Sequence, residues 1–151
     1  MTANEEIRPV LSLTEAALQP MRAASLTEGY KFIQTLWDEY VSGKTRFNAD
    51  GAVLYGVYND GTLVAIGGVH RDPYLDRPDI GRIRHVYVMP ELRRTGVGRR
   101  LMTTLIDHSR ENFAFLTLRT PTAHADAFYV SLGFNREPRF EHATHWLPLQ
   151  E

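Results

Sequence analysis

Residues 86–101, VYVMPELRRTGVGRRL, constrain the fold of this chain more than any other stretch. They begin as a β-branched and aromatic run that favours a strand, break at Pro90, and resume beyond Gly96 and Gly98 as an amphipathic helix. A glycine turn between a strand and a helix leaves backbone N–H groups free at the helix N-terminus, where the helix dipole favours an anion. Glycine also lets a phosphate approach the backbone without interference from a Cβ atom. The stretch therefore predicts either a phosphate-binding loop or an ordinary tight turn.

The composition limits the classes of protein to which the chain can belong. Its 151 residues predict a single domain over 1–151, large enough to bury a substantial core. A net charge of −1 argues against sequence-independent nucleic-acid binding through a broad basic face. Without cysteine there is no disulfide, thiol nucleophile or thiolate metal site. We see no signal peptide and no apolar run near the roughly 20 residues that span a bilayer, and we therefore expect a cytoplasmic protein with no membrane segment.

The remaining patterns predict alternating strands and helices. Ser12 and Ser25 each precede a glutamate by three residues, which is the capping-box spacing and predicts two helix starts. We expect Pro20 to kink or interrupt the first helix and Gly43 to end the second. The expected strands are residues 7–10, 52–58, 63–70, 82–89, 113–119, 136–142 and 144–149, with two more helices after residue 96 and over residues 121–132. This order predicts an α+β domain in three α/β/α layers, with about seven strands in a mixed, mostly antiparallel sheet and about four helices.

Two glycine patterns refine the second and third strands. Asp60 and Gly61 lie between them and carry the chemistry of a hairpin turn, so these strands should be antiparallel neighbours. Gly67 and Gly68 lie inside the third strand and predict a bulge or a close backbone approach.

Two motifs in the second half of the chain resemble those of the Gcn5-related N-acetyltransferase (GNAT) superfamily. Arg93-x-x-Gly96-x-Gly98 is similar to the acetyl-CoA motif of that superfamily. The segment from Thr122 to Phe134, TAHADAFYVSLGF, is similar to its N-x-x-A-x-x-[LF]-Y-x-x-x-G-F segment. The resemblance is strong over residues 82–134 and rests on element order alone elsewhere.

The resemblance implies a role for particular residues. Tyr129 matches the tyrosine that protonates the departing CoA thiolate, a role that a phenol can fill because it is un-ionised at pH 7. Thr122 replaces the asparagine of the motif and lacks the paired donor and acceptor of its amide. The positions matching the segment that pairs with the pantetheine arm are Val86, Tyr87 and Val88. The positions matching the pyrophosphate loop are Arg93, Arg94, Thr95, Gly96, Val97, Gly98 and Arg99.

The general base is not evident from the sequence. The resemblance predicts a glutamate early in the fourth strand or in the strand before the second motif, but arginines lie in the first region and Thr117 in the second. We take His85 as the candidate, with His70, Asp72 and Glu91 as alternatives; water-mediated deprotonation or an acceptor amine of low pKa is equally admissible. Strand parity places the side chain of His85 opposite to those of Arg82, Arg84, Val86 and Val88. The two arginines would form structural ion pairs or bind an anionic substrate group.

The leading hypothesis is an acetyl-CoA-dependent N-acetyltransferase that acts by direct attack of a primary amine of a small molecule or peptide. The main alternative is a non-catalytic acyl-CoA-binding regulator or sensor. A dinucleotide-binding module conflicts with the hairpin before the motif and with Leu101 at the third glycine position. An acetyltransferase acting on charged tRNA is disfavoured by the near-neutral charge, so we expect no nucleic-acid partner. The sequence shows no cluster of three metal ligands, so we expect no bound metal. The resemblance leaves a homodimer open.

Overall fold

The structure is a computed structural model that describes residues 4–149. Its elements follow one another in the order predicted up to the last strands. They are β1 (Glu5–Pro9), α1 (Glu15–Thr27), α2 (Phe32–Ser42), β2 (Val53–Asn59), β3 (Thr62–Arg71), β4 (Ile80–Val88), a short 3₁₀ turn (Pro90–Leu92), α3 (Val97–Ser109), β5 (Phe115–Leu118), α4 (Ala123–Ser131) and β6 (His145–Pro148).

The six strands form one sheet in the order β1-β2-β3-β4-β5-β6. All neighbours are antiparallel except β4 and β5, which run parallel. The mixed, mostly antiparallel sheet with four helices confirms the predicted fold class.

The predicted closing pair of strands is replaced by one strand. Residues 136–142 do not pair as a strand, and only Asn135 forms a bridge, to Trp146. Pro138 lies in this segment and has no N–H to donate to a ladder. The guanidinium of Arg139 instead lies 4.5 Å from the ring centroid of Trp146 and 4.6 Å from that of Phe115. The prediction of a strand over 136–142 was therefore wrong.

The helices cover the two faces of the sheet with separate apolar clusters. The cluster under α3 and α4 includes Leu101, Leu105 and Tyr129, and the cluster under α1 and α2 includes Leu18 and Leu36. Each face of the sheet is buried by a different part of the chain, which gives the expected three layers.

The capping-box predictions located the helix starts incorrectly. The N-cap of α1 is Thr14, whose Oγ1 accepts a hydrogen bond from the N–H of Ala17 at 3.2 Å. Ser25 is not a cap but lies buried inside α1, where its hydroxyl donates to a backbone carbonyl of the same helix. α1 also continues through Pro20, because its apolar face is fully buried on the sheet and this packing offsets the lost hydrogen bond.

The glycine predictions are confirmed. Gly43 caps α2 in the left-handed conformation, with φ of 82°. Asp60 and Gly61 both have positive φ, 50° and 86°, as a two-residue hairpin turn requires. The β3–β4 register shifts between Ile66 and Gly68, which is the irregularity expected there.

Candidate active site

Strands β4 and β5 separate in the middle of the sheet. They pair only from Ile80 opposite Phe115 to Arg82 opposite Thr117. β4 then continues to Val88 paired with β3 alone, so residues 83–88 have an edge with no strand beside it among residues 4–149. Such an edge can form backbone hydrogen bonds with an extended amide-containing ligand. Val86, Tyr87 and Val88, the predicted pantetheine-pairing residues, lie on this stretch.

A β-bulge at His85 changes which side chains share a face of the sheet. Arg84 pairs with Gly68 and Tyr87 with Ile66, so His85 and Val86 together oppose Gly67. His85 takes the left-handed conformation, with φ of 61°. Strand parity predicted that His85 and Arg84 lie on opposite faces, and this was wrong, because both side chains reach α2. Val86 and Val88 lie on the other face and pack into the α3–α4 cluster.

The imidazole of His85 is buried and neutral. Its Nδ1 lies 3.0 Å from the carbonyl oxygen of Phe32, which can only accept, so Nδ1 carries the proton and Nε2 carries a lone pair. That Nε2 is buried and has no hydrogen-bond partner among the described residues. Burial, reinforced by the charge of Arg84, lowers the pKa of His85 to about 3. A group with such a pKa is a weak proton acceptor at neutral pH.

The glycine loop, residues 93–99, joins the separated end of β4 to α3. Gly96 is the N-cap of α3 and has φ of 89°, a conformation that glycine adopts without strain. The first N–H group to bond back into the helix is that of Arg100, to the carbonyl of Gly96. The N–H groups of residues 97–99 thus lack helical partners. A Cβ added to Gly98 would meet only ordinary contacts, 3.5 Å from Phe128 and 3.6 Å from Val88.

The four arginines around the loop have different surroundings. Arg100 forms a two-pronged ion pair with Glu5, with both distances 2.7 Å, and Arg93 forms a similar pair with Glu28. Arg99 donates to the hydroxyl of Ser131 at 2.8 Å. Arg94 is exposed, and its side chain has no ion pair or hydrogen bond within residues 4–149. Arg94 and Arg99 therefore keep a charge that no carboxylate of residues 4–149 neutralises.

The other loop positions serve local structure. Thr95 is exposed, and its hydroxyl donates to the carbonyl of Leu92 at 2.5 Å. Val97 is buried in the α3–α4 cluster. Thr122, which replaces the asparagine of the second motif, is the N-cap of α4 and accepts from the N–H of Ala125 at 3.2 Å.

Tyr129 is the one buried residue of α4 and is only 8% exposed. Its ring lies between those of Phe128 and Phe134, with centroids 5.2 and 5.7 Å away. Burial raises the pKa of the phenol above its usual range, so the hydroxyl stays protonated at neutral pH. No protein group hydrogen-bonds this hydroxyl among residues 4–149. The side chain therefore offers a proton that no part of the described chain uses.

A buried polar cluster at the point of separation was missed by the sequence analysis. The carboxylate of Asp72, fully buried, accepts from the hydroxyl of Thr117 at 2.5 Å and from the N–H of Tyr74 at 2.9 Å. Arg82 lies 3.5 Å from the same carboxylate and donates to the carbonyl of His142. The ion-pair interpretation of Arg82 is confirmed, and Asp72 is engaged on both oxygens. Only the pairing register reveals this contact, because Asp72 and Thr117 lie 45 residues apart.

The other candidate bases lie elsewhere. Glu91 is exposed in the 3₁₀ turn that follows β4. His70 donates through Nδ1 to the carbonyl of Arg71 at 2.7 Å, and its buried Nε2 has no partner within residues 4–149. Glu39 of α2, which the sequence analysis did not single out, lies 3.7 Å from Arg84.

Two further findings concern the described residues only. Within residues 4–149, no three His, Asp or Glu side chains come together as a metal site would require. Over the same range, none of the helices combines the length and the apolar character needed to cross a bilayer.

Comparison with known proteins identifies the family of this chain. The chain is 36% identical over 83 residues to the N-alpha-acetyltransferase RimI of Mycobacterium tuberculosis, covering 54% of this chain and 51% of that protein, so it spans about half the length of this curated relative. A crystal structure of a candidate acetyltransferase from an Exiguobacterium species matches with a TM-score of 0.82 and 27% identity, over 96% of this chain and 93% of that one. The ribosomal-protein-S18-alanine N-acetyltransferase of Escherichia coli shares the fold, with a TM-score of 0.68 and 20% identity over 98% and 96% of the two chains. The model of the acetyltransferase (GNAT) family matches residues 13–134. The chain therefore belongs to the GNAT family.

Proposed function

We propose that the protein is an acetyl-CoA-dependent N-acetyltransferase, acting on a primary amine of a small molecule or peptide in the cytoplasm. The observation that carries this proposal is the unpaired stretch of β4, residues 83–88, which leads directly into the glycine loop. A ligand with an extended amide chain and a pyrophosphate can pair with the first and bind the second. Acetyl-CoA has both parts in this order.

The glycine loop would bind the pyrophosphate through the free N–H groups of residues 97–99, with charge supplied by Arg94 and Arg99. Val86, Tyr87 and Val88 would bond to the pantetheine arm through backbone groups of the stretch other than the carbonyl of Val88, which accepts from Nε of Arg93. Thr122 already caps α4, so we assign its hydroxyl to the helix rather than to the ligand.

Transfer would occur by direct attack of the neutral amine on the thioester carbonyl carbon. The new C–N bond forms a tetrahedral intermediate, which collapses as the C–S bond breaks. Tyr129 would donate its proton to the departing sulfur and recover one from solvent, while the amine loses a proton to the general base or to water. The raised pKa keeps the phenol protonated at neutral pH, so that the proton is in place when the C–S bond breaks.

His85 remains the predicted base, although its burial and lowered pKa favour a positioning role over direct proton abstraction. His85→Asn tests the prediction, because an asparagine can still donate to the carbonyl of Phe32. Loss of an ionisation from the acid limb of the pH profile of kcat/KM would identify His85 as the base. An unchanged profile would leave deprotonation to water.

The first experiment is calorimetric titration with acetyl-CoA, using NAD and ATP as controls, followed by a panel of amines. The similarity to RimI is a reason to include peptides with a free N-terminal amine. Selective micromolar binding followed by amine-dependent release of CoA would support the proposal. No binding, or a preference for NAD, would refute it.

A second candidate is an acyl-CoA-binding sensor without turnover. It is favoured by the engagement of Asp72 with Thr117 and Arg82, because this carboxylate, one of the candidate bases, is already bound within the fold. Binding of acetyl-CoA without release of CoA across the amine panel would select this function.

A further inference from the structure

The guanidinium of Arg93 is directed away from the N-terminus of α3 and toward the connection between α1 and α2. It donates to both carboxylate oxygens of Glu28, at 2.6 and 2.8 Å, and through Nε to the carbonyl of Val88 at 3.0 Å. The hydroxyl of Tyr87 donates to the same carboxylate. Glu28 thus accepts three hydrogen bonds from residues that the sequence motifs assign to cofactor binding. Paired donors in this planar geometry fix orientation as well as position.

The charges of the pair also match each other. The Arg93 hydrogen bonds are the main cause that lowers the pKa of Glu28, so the carboxylate is ionised at neutral pH. Its charge offsets that of Arg93, whereas Arg94 forms no ion pair in the part of the chain that the structure describes. A pyrophosphate is therefore attracted less to Arg93 than to Arg94.

A second attachment lies one turn further along the same connection. We call residues 28–32 the connecting segment. Its last carbonyl, that of Phe32, accepts the hydrogen bond from His85 at 3.0 Å. The Phe32 ring lies edge-on to the Tyr87 ring at 5.9 Å, and Tyr30, 39% exposed, lies 5.6 Å from Phe32. The connecting segment is thus held to the unpaired stretch of β4 at two positions, His85 and Tyr87.

The position of the segment indicates what it does. The glycine loop, α3 and Tyr129 lie on one face of the sheet, and the connecting segment borders the same stretch of β4 on the other. If the proposed function holds, the cofactor enters from the first face and the amine must approach the thioester from the second. The exposed ring of Tyr30 then borders the path of the amine.

We propose that Arg93 is a positioning residue, which fastens the connecting segment to β4 through Glu28 and so shapes the acceptor side of the site, and that its side chain is not a phosphate ligand. This inference deepens the proposed function and rests on it. Its structural part, the fastening of the segment, does not depend on catalysis.

The test compares Glu28→Gln, Arg93→Gln and their double variant with Glu5→Gln. Glu5 is a matched control, because it forms the same two-pronged pair with Arg100 and its side chain is as exposed as that of Glu28, 27% in each case. Hydrogen exchange of the free proteins reports the fastening. Calorimetry with CoA reports phosphate binding, and kinetics with the best amine of the panel report the acceptor side.

We expect Glu28→Gln and Arg93→Gln to speed exchange over residues 28–32 and to raise the KM for the amine about fivefold or more, with Kd for CoA within about twofold. The double variant should add little to either single change, since both remove one interaction. Arg93→Lys should not restore the KM, because a lysine cannot make the paired contact. Glu5→Gln should change neither the exchange of this segment nor the KM.

Two results would overturn the inference. Unchanged exchange over residues 28–32 in both single variants would show that the pair does not hold the segment. A loss of CoA affinity of about tenfold or more in Arg93→Gln, absent from Glu28→Gln, would make Arg93 a phosphate ligand. Failure of the wild type to bind CoA would refute the proposed function instead, and the exchange measurement would still decide the fastening.

Discussion

Substitution of Tyr129 by phenylalanine removes one oxygen and leaves the packing in place. The ring keeps its contacts with Phe128 and Phe134, whose centroids lie 5.2 and 5.7 Å away. Because the hydroxyl has no protein partner within residues 4–149, its loss breaks no hydrogen bond of the described fold. We therefore expect the free energy of unfolding to change by no more than about 0.5 kcal/mol.

The expected effect on turnover is much larger. General acid catalysis contributes about 10²- to 10⁴-fold, so Tyr129→Phe should lower kcat by at least about tenfold and nearer 100-fold, or about 2.7 kcal/mol in the barrier. Affinity for acetyl-CoA should stay within about twofold, since the hydroxyl acts on the sulfur only as the C–S bond breaks. In the wild type, the raised pKa predicts no loss of kcat from ionisation of Tyr129 up to at least about pH 10.

The assay is simple because the protein contains no cysteine. Released CoA can be followed with a thiol reagent without a background from the enzyme. Tyr55→Phe is the control: Tyr55 is a half-buried tyrosine of β2 whose ring packs against His108, and β3 separates its strand from β4. An unchanged kcat in Tyr129→Phe would remove Tyr129 from the chemistry, and a marked loss of stability would assign it a structural role.

Three further substitutions test the loop and the buried cluster. Gly96→Glu should abolish CoA binding, because it places a carboxylate at the N-terminus of α3. The domain should stay folded, since the φ of 89° costs a non-glycine residue only about 1–2 kcal/mol. Calorimetry measures the binding and circular dichroism the folding, and retained binding would show that this loop does not bind the pyrophosphate. Gly98→Ala should keep CoA affinity within about threefold, since the added Cβ meets only ordinary contacts; a large loss in the same titration would show that the ligand approaches this Cα more closely. Asp72→Asn should destabilise the fold by about 3 kcal/mol, because the buried charge of Arg82 loses its partner; urea unfolding measures this, and a change under about 1 kcal/mol would contradict the ion-pair assignment.

Features set by neighbouring residues could be predicted from the sequence. The hairpin at Asp60-Gly61, the end of α2 at Gly43 and the strand–loop–helix around Gly96 depend on backbone preferences of a few residues. The predicted helix starts were wrong because the capping-box spacing also occurs by chance. Ser25 has this spacing but lies on the buried face of α1. The order of elements sufficed for the fold class even so.

Features set by pairing between distant segments could not be predicted. The bulge that brings His85 onto the face of Arg84 depends on how β4 registers with Gly67 of β3. The contact between Glu28 and Arg93 joins residues 65 apart, and neither residue shows in the sequence that the other is its partner. The resemblance predicts which positions bind the cofactor, whereas the partners of their side chains came only from the structure.

The separation of β4 and β5 places a bare hydrogen-bonding edge inside a sheet, not at its rim. Exposed rims are where β proteins recruit other chains and aggregate. Here β5 and β6 continue the sheet beyond β4, so the edge of residues 83–88 is flanked by the same chain instead of lying at the rim. A second copy of the chain would have to enter between two strands to pair with it, so this edge is less available for edge-to-edge association than an outer one.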